Sequence, residues 1–259
     1  MTDAFYIAHD HDRFLATEWT RGPWGPDAQH AGPPAALLGR AIERAGSEGM
    51  QVARITFEIH KPVPLAMLQV GTEILRRGRR VELVASSLSS EGEEVMRATA
   101  TRIRTAPLEL PRQEIRPPHA IPASSASTEL FPATWHPNYL EAMEWRFARG
   151  TFTRPGPAAA WVHMRHPLVA GEPVTPLTRV LAAVDSSSGI SAELDWTEWL
   201  FINPDLSVHL HSLPRGEWIL LDALTVTGPA GRGTASSTIY DEHGQIGHSL
   251  QSLYLSRRS

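Results

Sequence analysis

The stretch "NPDLSVHLH", Asn203 to His211, sets an aspartate directly ahead of an alternating run. Leu206, Val208 and Leu210 share one face of that run, and Ser207, His209 and His211 share the other. This is the pattern of a strand with one wet side. A carboxylate at Asp205 could accept a proton at the mouth of a buried site, or it could be an ordinary solvated residue at a strand entry. His209 and His211, two apart, point to one face and could begin a zinc site, but no third ligand follows by spacing. Asp185 lies in "AAVDSSSG". As a poor helix former inside a helical pattern, it either caps the next turn or lines a site. "RRGRR", Arg76 to Arg80, could attract phosphates or be a solvated hairpin turn. "HDHD", His9 to Asp12, reads as exposed N-terminal sequence.

Composition removes several chemistries. The 259 residues contain no cysteine, which excludes disulfides, thiolate nucleophiles and cysteine-ligated metals. Net charge is −4, without the dominant basic patch of a nucleic-acid or membrane-surface protein. Lys61, in "IHKPVP", is the single lysine, so a Schiff base would have one candidate. No G-x-S-x-G elbow, P-loop or G-x-G-x-x-G run occurs. The segment "MTDAFYIAHDHDRF" has no basic stretch followed by an apolar run, so no signal peptide is expected there, and a cytoplasmic location is expected. No apolar stretch approaches the roughly 20 residues that span a bilayer.

The elements that would position these residues fall into two similar halves. Residues 106–139 are rich in Pro, Ser and Ala and read as a surface connector. On either side, an aromatic strand ("LATEWTRGPW", "MEWRFARGTF") precedes an apolar helix. The first helix, "GPPAALLGRAIERA", has prolines suited to a first turn, a stripe of Leu37, Leu38, Ala41 and Ile42, and Gly46 at its stop. The second, "PLTRVLAAVDSSSGI", carries Leu177, Val180, Leu181 and Val184 in its stripe. Strands follow each helix: Ile55, Phe57 and Ile59 align with Leu206, Val208 and Leu210, and a long hairpin about Gly92 matches one about Gly244. Two antiparallel sheets, each covered by one helix and joined edge to edge, make an internal pseudo-dimer. The units are expected at 1–105 and 140–259, with the connector at 106–139.

That duplicated helix-in-sheet arrangement resembles the double hotdog fold, an α+β architecture. "HAGPPAALLGRAIE", "FINPDLSVHLH" with the following "GEW", and "DEHGQIGHSLQSLYL" resemble the acyl-CoA thioesterase II family. The resemblance implies hydrolysis of a fatty acyl-CoA thioester, in fatty acid metabolism, without metal or organic cofactor. It also implies that an Asp, a Thr or Ser, and a Gln of the second hotdog hold the attacking water. By position these are Asp205 (with Asn203 the weaker choice), Thr225 (or Thr227) and Gln251. Substrate-side residues are expected at His30 and Gly32 of the "HAGPP" turn and at Asp185. Backbone amides near Gly32, or near Leu177 and Thr178, are the candidates for receiving oxyanion charge. The polar Asp/Gln pair falls in the second half alone, which favours one active centre per chain. The expected partner is acyl-CoA, with no nucleic acid and no membrane. Whether the pseudo-dimer pairs again into a homo-oligomer stays open. A non-catalytic acyl-CoA-binding protein and an enoyl-thioester hydratase using His209 or His211 are the competing readings.

Overall fold

The computed structural model describes residues 3–23, 25–111, 115–123 and 138–258. The first half holds β1 (Tyr6–Ala8), β2 (Arg13–Ala16), α1 (Gly32–Ala45), β3 (Met50–Ile59), β4 (Met67–Arg76), β5 (Val81–Ser90) and β6 (Glu93–Arg104). The second holds α2 (Asn138–Ala142), β7 (Met143–Thr151), β8 (Arg154–Met164), α3 (Pro176–Val184), α4 (Ser187–Ile190), β9 (Trp199–Ile202), β10 (Asp205–Leu210), β11 (Trp218–Thr227), β12 (Arg232–Tyr240) and β13 (Gln245–Arg257). The strands form one sheet, ordered β1-β2-β4-β5-β6-β3-β10-β13-β12-β11-β8-β7, with β9 also paired to β13. This is the expected double hotdog.

The seam between the halves is the antiparallel pairing of β3 with β10, Phe57 opposite Leu206 and Ile55 opposite Val208. All four side chains are buried, so the seam belongs to one core. Inside the curl of the sheet, α1 packs against α3. Gly39 of α1 lies against Leu181 of α3, and Gly32 lies against the carbonyl of Ala182. A Cβ at Gly32 would fall inside the van der Waals envelope of that oxygen, so this glycine sets how closely the two helices approach.

Several sequence expectations need adjustment. The second apolar helix does not run through to Ile190; it breaks at Asp185 and Ser186 into α3 and α4. Of "LATEWTRGPW", the strand β2 includes Leu15 and Ala16, while Glu18–Thr20 forms a 3-10 turn and Trp24 is outside the described residues. Gly46 ends α1 in an extended conformation, φ −89°. It is needed there because the Arg102 guanidinium occupies the place of a Cβ. Residues 112–114 and 124–137 of the expected connector lie outside the described residues. The arginines of "RRGRR" sit on the exposed β4–β5 turn, where the backbone carbonyls of Arg79 and Arg80 bond Arg104. That turn is at the C-terminal end of α1. A 14-residue helix, about 21 Å long, separates it from the "HAGPP" turn.

Candidate active site

The break between α3 and α4 brings the polar residues together. Gln251, on β13, faces inward and is fully buried. Its Nε2 donates to the main-chain carbonyl of Asp185 and to Asp185 Oδ1, both at 3.1 Å. Its Oε1 accepts from the Ser188 N–H at 3.2 Å. In an unbroken helix that N–H would reach the carbonyl of Val184, which instead accepts from the Ser187 hydroxyl. Gln251 thus takes over backbone bonding lost at the break and fixes Asp185 at the same time.

Asp185 Oδ1 accepts a second bond, from Asn203 Nδ2 at 2.8 Å. Asn203 can reach it because β9 ends at Ile202 and β10 begins at Asp205, leaving Asn203 and Pro204 as a gap along one edge of β13. The other oxygen, Oδ2, lies 3.2 Å from Nδ1 of His30. His30 Nδ1 also accepts the Gly32 N–H, at 3.1 Å. With its lone pair so engaged, the ring proton belongs on Nε2. The imidazole is stacked on Tyr139 with ring centroids 3.8 Å apart. Tyr139 is anchored in turn by its hydroxyl on the carbonyl of Ala182 and on Ser186. Burial pushes the His30 pKa down, more strongly than the neighbouring Asp185 raises it, so the ring is neutral near pH 7.

The three residues expected to converge do not do so as a group. Asp205 and Gln251 lie on opposite faces of the sheet. The β10–β13 pairing aligns Ser207 with Leu250, and continuing it puts Leu206 beside Gln251 on the inner face and Asp205 beside Ser252 on the outer. The carboxylate of Asp205 accepts the Ser252 N–H at 2.8 Å, away from the helices. Thr225 does face inward and is buried, but Ala235 stands between it and Gln251 across β11, β12 and β13. Two strand spacings, about 10 Å, separate the pair. Thr225 instead bonds the hydroxyl of Ser191 at 2.8 Å, which in turn donates to the carbonyl of Ser187. Thr227 is held by Glu193.

Of the substrate-side candidates, His30 and Asp185 meet directly, and Gly32 serves their approach. The amides offered for oxyanion binding are largely engaged. Gly32 N–H goes to His30, Pro33 and Pro34 have none, and Ala35 N–H goes to Ala31. Thr178 N–H is capped by Thr175. The start of α3 is, moreover, at the far end from Asp185. Ser191, Ser188 and Tyr139 were not singled out from sequence, and nothing in their spacing marks them. His209 is on the outer face opposite His248, and His211 bonds the carbonyl of Gln245. Among the described residues the one grouping with metal-ligand spacing is Asp10, His11 and Asp12, on the surface. There Asp10 closes a turn onto Arg13, which accounts for it without an ion.

Sequence comparison agrees with this architecture half by half. A model of the acyl-CoA thioesterase N-terminal domain matches residues 20–103, and one of the C-terminal domain matches residues 118–255. The chain belongs to the acyl-CoA thioesterase family. As an acyl-CoA thioesterase it also shares its fold with solved structures over nearly its whole length. A protein assigned as thioesterase II from Thermobifida fusca has 19% identity and a TM-score of 0.75, covering 99% of this chain and 98% of that one. A hotdog-fold protein from Alicyclobacillus acidocaldarius has 15% identity and a TM-score of 0.72, over 99% and 98%. The acyl-CoA thioesterase II of Mycobacterium marinum has 14% identity and a TM-score of 0.67, over 98% and 95%. No curated protein matches the sequence. Among the described residues, no helix of this thioesterase is long and apolar enough to cross a membrane.

Proposed function

We propose that this acyl-CoA thioesterase hydrolyses a fatty acyl-CoA to free acid and coenzyme A at Asp185, with one active centre per chain. The observation that carries the proposal is the Asp185 carboxylate. It is buried, held through Oδ1 by Asn203 and Gln251, and leaves Oδ2 beside His30. A water bound at Oδ2 gives up a proton to it as the oxygen attacks the thioester carbonyl. His30 Nε2–H is the donor for the developing oxyanion, and Asp185 keeps the proton until the leaving group needs it. When the carbon–sulfur bond breaks, that proton returns to the thiolate, leaving acid and thiol.

In this reading Gln251 orients the carboxylate and does not hold the water, since both its amide hydrogens are engaged by Asp185. Thr225 and Ser191 form the polar floor beside α4. Asp205 has no part in the chemistry. The units are 1–105 and 140–259 with the connector 106–139, and the setting is cytoplasmic fatty acid metabolism. The test is thiol release from acyl-CoAs of graded chain length. A protein that is stabilised thermally by acyl-CoA but releases no thiol at any length would be a binder, and the proposal would fall.

A further inference from the structure

The outer face of the sheet differs between the two halves. Around β9, β11, β12 and β13 it is apolar. Ile202, Leu224, Val226, Leu250 and Tyr254 project from it, each between 44% and 57% exposed. They are neighbours by register. Leu250 lies opposite Ser236 and Ser236 opposite Leu224, while Tyr254 lies opposite Ile202. Gln251 alternates to the inner face, so this surface is the back of the sheet that carries the candidate site. The shift that carries Ile55 onto Leu206 carries Thr99 onto Leu250 and Ala85 onto Ser236. Ala85 pairs with Glu73, which makes Glu73 the counterpart of Leu224. On the same face Arg97 and Glu58 stand opposite each other. The first half thus has the charged, solvated outer face usual for an antiparallel sheet, and the second half does not.

The apolar face also has relief. The short side chains of Ser236, Thr234 and Ser252 sit between the large ones. Near the β11–β12 turn the surface opens into a hollow of about 560 Å³, lined by Val226, Pro229, Ala230, Thr234 and Ser252 among others. At the rim Arg232 lies opposite Tyr254, and Asp205 holds the Ser252 N–H. These charges have opposite signs, so a second copy of the same face meets no net repulsion. A strand spacing of about 4.8 Å from β9 to β11, and a rise of about 3.3 Å per residue from His248 to Ser256, give roughly 550 Å² in projection. Two such faces in contact remove roughly 1,100 Å² before side-chain relief is added, which meets the ~1,000 Å² that a specific interface needs.

We propose that this face joins two copies of the chain, the back of one sheet against the back of the other, about a two-fold axis. A two-fold interface uses one patch twice. The projecting side chains of each copy therefore seat in the hollow of the other, and both hollows fill together. Clustered apolar side chains mark an interaction surface, and the balanced rim fits a second copy better than a strongly charged partner. His30 and Asp185 lie on the inner side of the curl, so each copy keeps its own complete site and the first-half faces stay in water.

Sedimentation velocity over a concentration series tests the interface. The parent protein should sediment as a dimer at micromolar concentration. Leu250→Glu should weaken association at least tenfold, because the two-fold axis sets the new charge on both copies within an apolar contact. Leu224→Glu should do the same. It puts a glutamate where the first half already carries Glu73, so it serves as the test if Leu250→Glu disturbs folding. Ile103→Glu is the control, since Ile103 is the exposed first-half counterpart of Tyr254, and the dimer should persist in it. A parent protein that stays monomeric up to millimolar concentration overturns the proposal and leaves the face to a different partner. So does a dimer that survives both Leu224→Glu and Leu250→Glu, or one that Ile103→Glu dissociates, because the contact then lies elsewhere.

Discussion

Asp185→Asn and Asp205→Ala, compared in one assay, separate two carboxylates that lie on opposite faces of the same sheet. In Asp185→Asn the side-chain oxygen still accepts from Gln251 and Asn203, and the new amide nitrogen replaces Oδ2 beside His30 without a change of volume. Both bonds to the side-chain oxygen are preserved, so stability should stay within about 1 kcal/mol of the parent. The proposed proton acceptor is lost. General-base catalysis contributes roughly 10²- to 10⁴-fold, about 2.7 to 5.4 kcal/mol of barrier. The kcat should fall by that factor in a thiol-release assay. Asp205→Ala removes one bond to the Ser252 N–H on the outer face. Its effect on the barrier should stay below about 0.5 kcal/mol, roughly twofold in rate. If Asp205→Ala is the inactive variant while Asp185→Asn works normally, the argument from strand faces is wrong.

Gln251→Ala should cost both stability and rate. It leaves the Asp185 carbonyl and the Ser188 N–H without partners in a fully buried place, about 2 to 4 kcal/mol by denaturant unfolding, and frees the Asp185 side chain to turn. Gly32→Ala should push α1 away from the Ala182 carbonyl, lowering the unfolding midpoint and slowing thiol release together; full activity would show that the helix spacing is not critical. The buried, pKa-lowered His30 gives stability that is present above pH 6.5 and lost as pH falls, because the unfolded chain then binds the proton more readily. The difference in unfolding free energy between the parent and His30→Gln should therefore shrink from pH 7.5 to pH 5, and a pH-independent difference would count against a buried neutral imidazole.

Much of the fold can be read from local pattern. The prolines and apolar stripe of "GPPAALLGRAIERA" delimit α1 residue for residue. The alternation in β3 and β10 gives both inner faces of the seam. The same alternation bears on Asp205: by parity it belongs with Ser207 and His209 on the wet side. Matching by family position put it in the site; counting along the strand puts it outside. Asp185 carried a usable signal, being a helix-breaking carboxylate among small residues, between an apolar run and three serines. What its sequence context does not contain is the cause of the break, since Gln251 arrives from a strand 66 positions away. The contact of Asn203 is likewise non-local, depending on where two short strands stop and start along β13.

The β3–β10 seam lies within one polypeptide, and His30 and Asp185 come from its two sides. Two separate copies of a half-size unit would part on dilution, and each would then lack the other's contribution to the His30–Asp185 contact. In the fused chain the second copy is tethered, at an effective concentration fixed by the linkage and not by the amount of protein present. Turnover per molecule should hold constant down to the most dilute solution in which the protein can still be assayed.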